Sequence, residues 1–285
     1  MKPRDNGQSV SSPAITSSPS VSPPASNDAR IKAEKPTPAS SNAEAAGPDD
    51  EHTRAVAAMF GRMTPWYDFQ NHAFSLGLDF WWRRALVRAV APGPTGLVLD
   101  VAAGTLDVTL GLIRHYPGLR VTAADICAPM LDYGMQRKLR PGEKERVTPL
   151  VADARHLPLP DASVDAVTMA FGIRNVKPRS EALSEMFRVL TPGGRACILE
   201  FAPVTTPLFG PAYHWYLKHV LPRLARLVSN STDAYDYFAD TIAHFPAPLA
   251  FSAELREAGF PVVQHIPLTL GVANLHIAVR GVKGR

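Results

Sequence analysis

Two acidic residues of this chain have a spacing that suits a nucleoside-containing cofactor. Asp125 ends an apolar segment about 20 residues after Gly104, which lies in a turn of small residues following another apolar segment. At that separation a carboxylate can accept hydrogen bonds from both hydroxyls of a ribose. Asp153 and Ala154 follow a third apolar segment, where a carboxylate or a backbone N–H can contact an adenine edge. Taken singly, either aspartate is equally consistent with a helix cap.

The turn around Gly104 differs from a fully permissive cofactor loop at one position. It reads Ala102-Ala-Gly-Thr-Leu-Asp107, and Leu106 stands where a second glycine would give the backbone most freedom. If the backbone at Leu106 has a positive φ, we expect strain of about 1 to 2 kcal/mol and a side chain pushed toward the cofactor. If φ has an ordinary value, Leu106 simply begins the next helix.

The elements that must position these residues alternate between strand and helix patterns from residue 51 onward. Nearly continuous apolar segments predict strands, and segments with helical periodicity connect the earlier ones. This alternation is typical of an α/β fold with a parallel sheet that is covered on both faces. Because no helix separates the last two strands, we expect the final strand to run antiparallel. The predicted strands are 97–101, 120–125, 147–153, 164–171, 195–201, 262–268 and 275–280, and the predicted helices between them are 108–115, 129–138 and 180–190.

Two further predicted helices fall outside this alternation. Residues 80–89 are rich in tryptophan and arginine and precede the sheet, while residues 213–228 fall between the fifth and sixth strands. Insertions at the carboxyl edge of an open sheet commonly cover the substrate, so we expect a helical lid at about 205–250. The alternative is that these aromatic and leucine side chains simply pack against the sheet.

Composition narrows the classes of protein to which this chain can belong. It has 285 residues and a net charge of +4, and its lysines and arginines are scattered among acids, which argues against nucleic-acid binding. Its two cysteines lie in apolar segments, which indicates reduced, buried thiols without a disulfide framework or metal spacing. No apolar run reaches the ~20 residues that span a bilayer, so any membrane contact is expected to be peripheral.

The N-terminal segment differs sharply from the rest of the chain. Serine, proline and alanine dominate it, and it contains almost no bulky apolar residue that could be buried. Such a composition predicts a disordered tail, residues 1–50, followed by one folded domain, residues 51–285. An organellar transit peptide is the weaker interpretation, because the tail has few arginines and carries several acids.

Several motifs of the chain occur together in one known family. They are Leu99-Asp-Val-Ala-Ala-Gly-Thr-Leu-Asp107, Ala124-Asp-Ile-Cys-Ala-Pro-Met-Leu131, Ala152-Asp-Ala-Arg-His-Leu-Pro-Leu-Pro160, Phe171-Gly-Ile-Arg-Asn-Val176, Leu199-Glu-Phe201 and His219-Val-Leu-Pro222. In these motifs the chain resembles the ubiquinone/menaquinone biosynthesis C-methyltransferases over roughly residues 55–281. Most class I methyltransferases share the acids at the strand ends, whereas the last three motifs together point to the quinone family.

The resemblance implies a Rossmann-like class I methyltransferase fold with S-adenosylmethionine as the cofactor. It further implies methylation of a ring carbon of a prenylated benzoquinol or naphthoquinol, with demethylmenaquinol as the leading substrate, and no metal. The carbon attacks the sulfonium methyl group once an ortho or para phenol has lost its proton. The cofactor-binding positions that the resemblance indicates are Gly104, Thr105, Asp125, Asp153, Ala154 and Ala170.

A prenylated substrate also implies a location. Its tail partitions into lipid, so we expect a cytoplasmic protein with peripheral contact at the inner face of the membrane. Trp81, Trp82 and Trp215, with the arginines beside them, fit such a surface. They fit a homodimer interface or plain packing equally well.

The resemblance places Arg174 and Asn175 opposite the transferred methyl group and the quinol. A guanidinium stays protonated, so Arg174 is a poor base. Its expected role is to stabilise a developing phenolate or to orient a water that takes the proton. The alternative is an ion pair between Arg174 and either Asp165 or Glu200.

Tyr67 and His219 are two further catalytic candidates. Tyr67 matches a family tyrosine near the mouth of the active site, where it could hydrogen-bond a quinol oxygen or else anchor the N-terminal helix. An imidazole can accept a proton at neutral pH. A single histidine on an apolar helix, such as His219, is nonetheless more often structural.

Two other functions compete with methyl transfer. Leu106 motivates a catalytically silent family member that keeps the fold as a binding or scaffold subunit for quinone-pathway enzymes. A nicotinamide dehydrogenase could use the same Asp125 contact. The turn lacks the three-glycine fingerprint of such enzymes, however, and no acid/base pair for hydride transfer is evident.

Overall fold

The structure, a computed structural model, describes residues 48–92, 96–204, 209–220 and 233–282. The predicted disordered tail, residues 1–50, lies outside these ranges except for residues 48–50. The predicted lid at 205–250 lies partly outside them.

The described strands form one seven-stranded sheet. They are β1 (Leu97–Val101), β2 (Arg120–Asp125), β3 (Val147–Val151), β4 (Val164–Ala170), β5 (Leu190–Phe201), β6 (Val262–Leu268) and β7 (Ala273–Val279). Their order across the sheet is β3-β2-β1-β4-β5-β7-β6. Among the described strands β7 alone runs opposite to the others, since it pairs antiparallel with both β5 and β6, which confirms the predicted mostly parallel sheet with an antiparallel last strand.

Some strand boundaries differ from the predicted ones. β3 ends at Val151, so Asp153 lies in the turn beyond the strand. β5 begins at Leu190 and not at 195, because Leu190 already pairs with Val164 and the Pro-Gly-Gly segment forms an irregularity within the strand. β7 begins two residues earlier than predicted, at Ala273.

The helices surround this sheet. They are α1 (Pro48–Phe74), α2 (Asp79–Val90), α3 (Asp107–His115), α4 (Ala128–Arg137), α5 (Pro141–Lys144), α6 (Arg179–Val189), α7 (Phe209–Trp215), α8 (Asp233–Ala243) and α9 (Pro248–Glu257). The helix predicted at 213–228 is not a single α-helix, because α7 continues as π-helical turns over Tyr216–Val220. Residues 221–228 of that prediction lie outside the described residues.

Successive residues of the central strands pack into two cores on opposite faces of the sheet. Val98 packs with α2 and α3, whereas its neighbour Leu99 packs with α6 and α9. This alternation follows from the pleat of a β-strand, which directs consecutive side chains to opposite faces. The edge strands β3 and β6 keep several exposed residues, so both faces are fully covered only at the centre of the sheet.

The order of the strands creates a crevice at the carboxyl ends of β1 and β4. From β1 the chain continues to β2 and β3 on one side, and from β4 it continues to β5 on the other. The loops that follow β1 and β4 therefore lead to opposite sides of the sheet. Ligands of open α/β sheets bind at such a point.

Within the described ranges, none of the helices combines enough length with enough apolar character to cross a bilayer.

A buried histidine gives the fold a testable pH dependence. His276 on β7 is 1% exposed, its Nε2 lies 3.0 Å from the Pro248 carbonyl oxygen, and Phe251 packs edge-on against its ring. Burial lowers the pKa of His276 to about 4, whereas an unfolded histidine titrates near ~6.5. As pH falls through 6.5, the unfolded chain takes up a proton that the folded chain does not accept, so stability is lost.

We therefore expect His276→Gln to flatten the dependence of folding free energy on pH. Between pH 7 and pH 5 the parent should lose roughly 2 kcal/mol more than the variant, measured by urea denaturation at both pH values. His115→Gln, at an exposed position, is the matched control and should follow the parent. An equal loss in His276→Gln and the parent would show that His276 is not the responsible group.

Candidate active site

A cavity occupies the crevice at the carboxyl ends of the strands. The loops after β1, β2, β3 and β4 form its walls, and α1 contributes Thr53, Val56, Phe60 and Tyr67. Six predicted site residues line it: Tyr67, Asp125, Asp153, Ala154, Ala170 and Asn175.

Asp125 is the buried carboxylate at the centre of these loops. One oxygen accepts a hydrogen bond from the backbone N–H of Gly104 at 2.7 Å, and the other accepts one from Cys127 at 2.8 Å. Burial raises the pKa of Asp125, although backbone N–H groups at both oxygens favour its ionised form. Asp125 therefore does not cap α4, since its bond goes to Cys127, the residue before the helix, and no described side chain caps the first turn. It also faces the cavity, where its remaining lone pairs can accept hydrogen bonds from a ligand.

The loop after β1 is strained at alternate residues. Ala102, Gly104 and Leu106 have φ values of 51°, 52° and 71°. Such left-handed conformations cost a residue with a Cβ of order 1 to 2 kcal/mol, so they persist only where surrounding contacts enforce them. The expectation of ordinary φ at Leu106 is therefore wrong, and the expectation of positive φ is correct.

The Leu106 side chain does not reach the cofactor space. It is fully buried in the hydrophobic core and packs against Gly134 on α4. A Cβ on Gly134 would stand 2.5 Å from Leu106 Cγ and 2.8 Å from the Thr105 carbonyl oxygen. The absence of a side chain at Gly134 thus makes room for Leu106. The expectation that a positive φ would push the Leu106 side chain toward the cofactor is therefore wrong.

Asp153 is held by an arginine beside it. The Arg155 guanidinium donates to both Asp153 oxygens at 2.8 to 3.2 Å, and it also donates to Thr53 of α1 at 3.1 Å. Burial acts to raise the pKa of Asp153, but the hydrogen bonds and charge of Arg155 outweigh it and lower the pKa. Asp153 is therefore an ionised side chain in the cavity wall. Its carboxylate is held by the Arg155 guanidinium, and it does not act as the helix cap that was the alternative interpretation.

The Thr105 hydroxyl faces away from the cavity in this structure. It donates to Asp68 of α1 at 2.5 Å and accepts from the Lys138 ammonium at 3.0 Å. Lys138 also contacts Asp68 and Asp107, at 2.6 and 2.5 Å. These contacts tie α1 to the loop after β1 and to the end of α4. Sequence reasoning missed Asp68 and Lys138 as partners, and no local pattern points to them.

Asn175 and Tyr67 bring polar groups to the cavity from two different elements. Asn175 belongs to the 3₁₀ turn Ile173–Asn175 after β4, and the Tyr237 hydroxyl of α8 donates to its side-chain oxygen at 3.0 Å. Tyr67 packs edge-on against Phe60, with ring centroids 5.7 Å apart. Of the two adjacent residues predicted to be catalytic, Arg174 and Asn175, only Asn175 lines the cavity.

Arg174 lies in a buried ion pair beside the cavity. Its Nη1 donates to Glu200 at 2.8 Å, and its guanidinium packs over the rings of Phe201 and Phe238. Of the two expected partners of Arg174, the structure therefore shows Glu200. The Asp165 carboxylate instead accepts a hydrogen bond from the backbone N–H of Leu97. The catalytic role predicted for Arg174 remains a prediction.

His219 lies apart from this group of residues. It is exposed on the π-helical segment Tyr216–Val220, where its ring stacks on Trp215. It is not among the described residues that line the cavity. Across the described ranges, histidine, cysteine and acidic side chains form no group of three or more that could hold a metal ion.

Comparison with known proteins adds to this geometry. A family model described as the ubiE/COQ5 methyltransferase family matches residues 48–280. The chain belongs to this family. As a member of the ubiE/COQ5 family it is a methyltransferase, and its methyl donor is S-adenosylmethionine.

Several relatives agree with the family assignment. A protein of Geotalea daltonii named ubiquinone/menaquinone biosynthesis C-methyltransferase UbiE is 40% identical over 227 residues, 79% of this chain and 96% of that protein. The demethylmenaquinone methyltransferase of Thermus thermophilus is 41% identical over 222 residues, 78% of this chain and 100% of that protein.

Solved structures support the fold. A SAM-dependent methyltransferase of Thermotoga maritima, titled a possible histamine N-methyltransferase, aligns with a TM-score of 0.53 at 16% identity and covers 80% of this chain and 99% of its own. Phosphoethanolamine N-methyltransferase 2 of Haemonchus contortus, in complex with S-adenosylmethionine, aligns with a TM-score of 0.51 at 16% identity. It covers 70% of this chain and 52% of its own. The Rossmann-like class I fold is confirmed, and a silent scaffold is not supported.

The strain at Leu106 yields a stability test. Loss of its buried side chain should destabilise the fold by about 2 to 5 kcal/mol, but glycine should also relieve the left-handed backbone. We therefore expect Leu106→Gly to be about 1 kcal/mol more stable than Leu106→Ala, by urea denaturation. At Leu112, which is equally buried but lies within α3, the order should reverse, because glycine weakens a helix. The same order at both positions would contradict a strained Leu106.

Proposed function

We propose that the chain transfers the methyl group of S-adenosylmethionine to a ring carbon of a prenylated hydroquinone, with demethylmenaquinol as the substrate. The observation that carries the proposal is the cavity itself, in which a buried carboxylate, Asp125, and a polar amide, Asn175, face one largely apolar space. The names of the relatives in Geotalea and Thermus support the substrate class.

The cavity residues fit the cofactor. Small side chains at Ala102, Ala154 and Ala170 leave room between the strand ends, and the Asp125 carboxylate is the acceptor for ribose hydroxyls. Asp153 and the backbone of Ala154 would contact adenine. When bound, the cofactor supplies an electrophilic methyl group on a sulfonium.

The remaining walls suit a hydroquinone ring. Phe60, Met169 and Phe171 give the cavity an apolar lining that keeps water from the reacting carbon. Phe171 stacks on Phe201, with ring centroids 4.6 Å apart, and Trp82 packs against both rings. Asn175 and Tyr67 are the polar side chains able to hydrogen-bond ring oxygens, and one of those oxygens must become a phenolate for its ring carbon to attack.

The direct test is methyl transfer by the purified protein. We expect a reduced demethylmenaquinone to gain one methyl group in the presence of S-adenosylmethionine, and a demethylated benzoquinol to react more slowly, with both products measured by mass spectrometry. Cofactor binding without methylation of either quinol would overturn the proposal.

The role proposed for Asp125 predicts a specific loss of cofactor affinity. A hydrogen bond to a charged group contributes about 1.5 to 3 kcal/mol. Asp125→Asn should therefore weaken S-adenosylmethionine binding by roughly tenfold to a hundredfold in titration calorimetry. Asp161→Asn removes an acid whose side chain is 76% exposed, and it should bind like the parent. Unchanged affinity in Asp125→Asn would place the ribose elsewhere.

We further propose peripheral contact with the cytoplasmic face of an anionic membrane through one surface, the apolar rim, formed by Leu76, Leu78, Phe80 and Trp81. Phe80 and Trp81 are 59% and 73% exposed, and Leu76 is 67% exposed. Arg84 and Arg88 are exposed one and two helical turns beyond Trp81, so that a cationic stripe borders the rim on the same face of α2.

The position of the rim supports this role. Trp82, next to Trp81, packs inward against Phe171, which lines the cavity. α2 therefore connects the rim to the wall of the proposed substrate site. A substrate whose tail stays in lipid could deliver its ring along this path.

The rim predicts a loss of membrane binding when a charge is introduced. Trp81→Glu should reduce co-sedimentation with phosphatidylglycerol-containing vesicles severalfold, while methylation of a short-tailed, water-soluble quinol stays unchanged. Val262→Glu places the same charge on the first residue of β6, outside the rim, where Val262 is 58% exposed. This control variant should bind vesicles like the parent. If both variants bind vesicles equally well, the rim is not the membrane-binding surface. If Trp81→Glu instead converts a dimer into a monomer in analytical ultracentrifugation without changing vesicle binding, the rim is a homodimer interface.

A further inference from the structure

We propose that Tyr237 of α8 is a positioning residue for Asn175. In this role, which rests on the proposed quinol methylation, Tyr237 turns the Asn175 amide so that its N–H bonds face the ring oxygen of the substrate.

The contacts of Asn175 hold it from three elements. Its backbone N–H donates to the Gly172 carbonyl at 3.0 Å within the 3₁₀ turn. Its own carbonyl oxygen lies 3.2 Å from His52 Nε2 on α1. The Tyr237 hydroxyl on α8 donates to its side-chain oxygen at 3.0 Å. The backbone of Asn175 is therefore fixed by its own turn and by α1, while the orientation of its amide depends on Tyr237.

The chemistry of an amide gives that orientation its meaning. An asparagine side chain has one oxygen that accepts and one nitrogen that donates two hydrogen bonds. Because the Tyr237 hydroxyl occupies the oxygen, the amide can offer the cavity its N–H groups. A donor aimed at a developing phenolate stabilises the charge on which the reaction depends, whereas an amide oxygen in its place would repel that charge.

The hydroxyl of Tyr237 is suited to remain a donor. Burial raises the pKa of Tyr237, although the nearby Arg174 guanidinium acts in the opposite direction. The hydroxyl therefore keeps its proton over the neutral range. The charge of Arg174 is balanced by Glu200, with which it pairs at 2.8 Å.

Packing fixes α8 in the place that this contact requires. Phe238, next to Tyr237, packs edge-on against Phe201 with ring centroids 5.3 Å apart, and the Arg174 guanidinium lies 5.3 Å from the Phe238 ring. One turn further, Ile242 is buried in the core. The described part of the predicted lid thus anchors on the sheet at the loop that carries Asn175.

The test is a double-mutant cycle of Tyr237→Phe and Asn175→Ala, with turnover of reduced demethylmenaquinone at saturating S-adenosylmethionine. We expect Tyr237→Phe to lower kcat about tenfold, equivalent to about 1.4 kcal/mol, with cofactor affinity unchanged. Without an oriented donor the substrate phenol ionises less readily, so the acidic limb of the kcat profile should move to higher pH. In the Asn175→Ala background, Tyr237→Phe should have no further effect, because its action passes through Asn175.

Tyr133→Phe, a change on α4 outside the cavity lining, is the matched control and should keep the kcat and pH profile of the parent. A tenfold loss that persists in the Asn175→Ala background, or an unshifted pH profile, would overturn the positioning role. An active parent with an equally fast Tyr237→Phe variant overturns this inference alone. A parent that binds the cofactor but methylates no quinol overturns the proposed function and this inference with it.

Discussion

The Asp125 carboxylate joins the two loops on which the whole site depends. It accepts one hydrogen bond from Gly104 in the loop after β1 and another from Cys127 at the start of α4. Because the first loop contains three left-handed residues, it needs such an external restraint to keep its shape. The same carboxylate faces the cavity, so one buried charge both holds the walls together and provides an acceptor for the ligand.

The polar contacts around this centre leave the cavity itself mostly apolar. Thr105, Asp68 and Lys138 satisfy one another on the side of α1, and Arg174 pairs with Glu200 on the side of α8. Charged groups that remained free at these positions would attract water into the site. Their pairing instead helps to fix α1 and the loop after β4, and it leaves a few polar side chains facing an apolar space.

The sheet and the cofactor side of the site could be predicted from the sequence because their signals are local. The apolar residues of the central strands directly indicate buried segments. Asp125 is the last residue of one of these strands and lies about 20 residues after Gly104. The fit of Leu106 against Gly134 could not be predicted, since the two residues are 28 positions apart and share no periodic pattern. The same holds for Tyr237 and Asn175, which are 62 positions apart. For Arg174 the sequence indicates Asp165 or Glu200 as a partner, and only the packing of the elements decides for Glu200. Each of these pairs depends on how distant elements pack.

We propose that this cavity brings a methyl donor and the ring carbon of a prenylated hydroquinone together. NMR can locate the transferred group after reaction of reduced demethylmenaquinone with S-adenosylmethionine carrying a ¹³C-labelled methyl. We expect the label on a ring carbon of the quinone product. A label on a ring oxygen, or a demethylated cofactor with no labelled quinone, would contradict the claim.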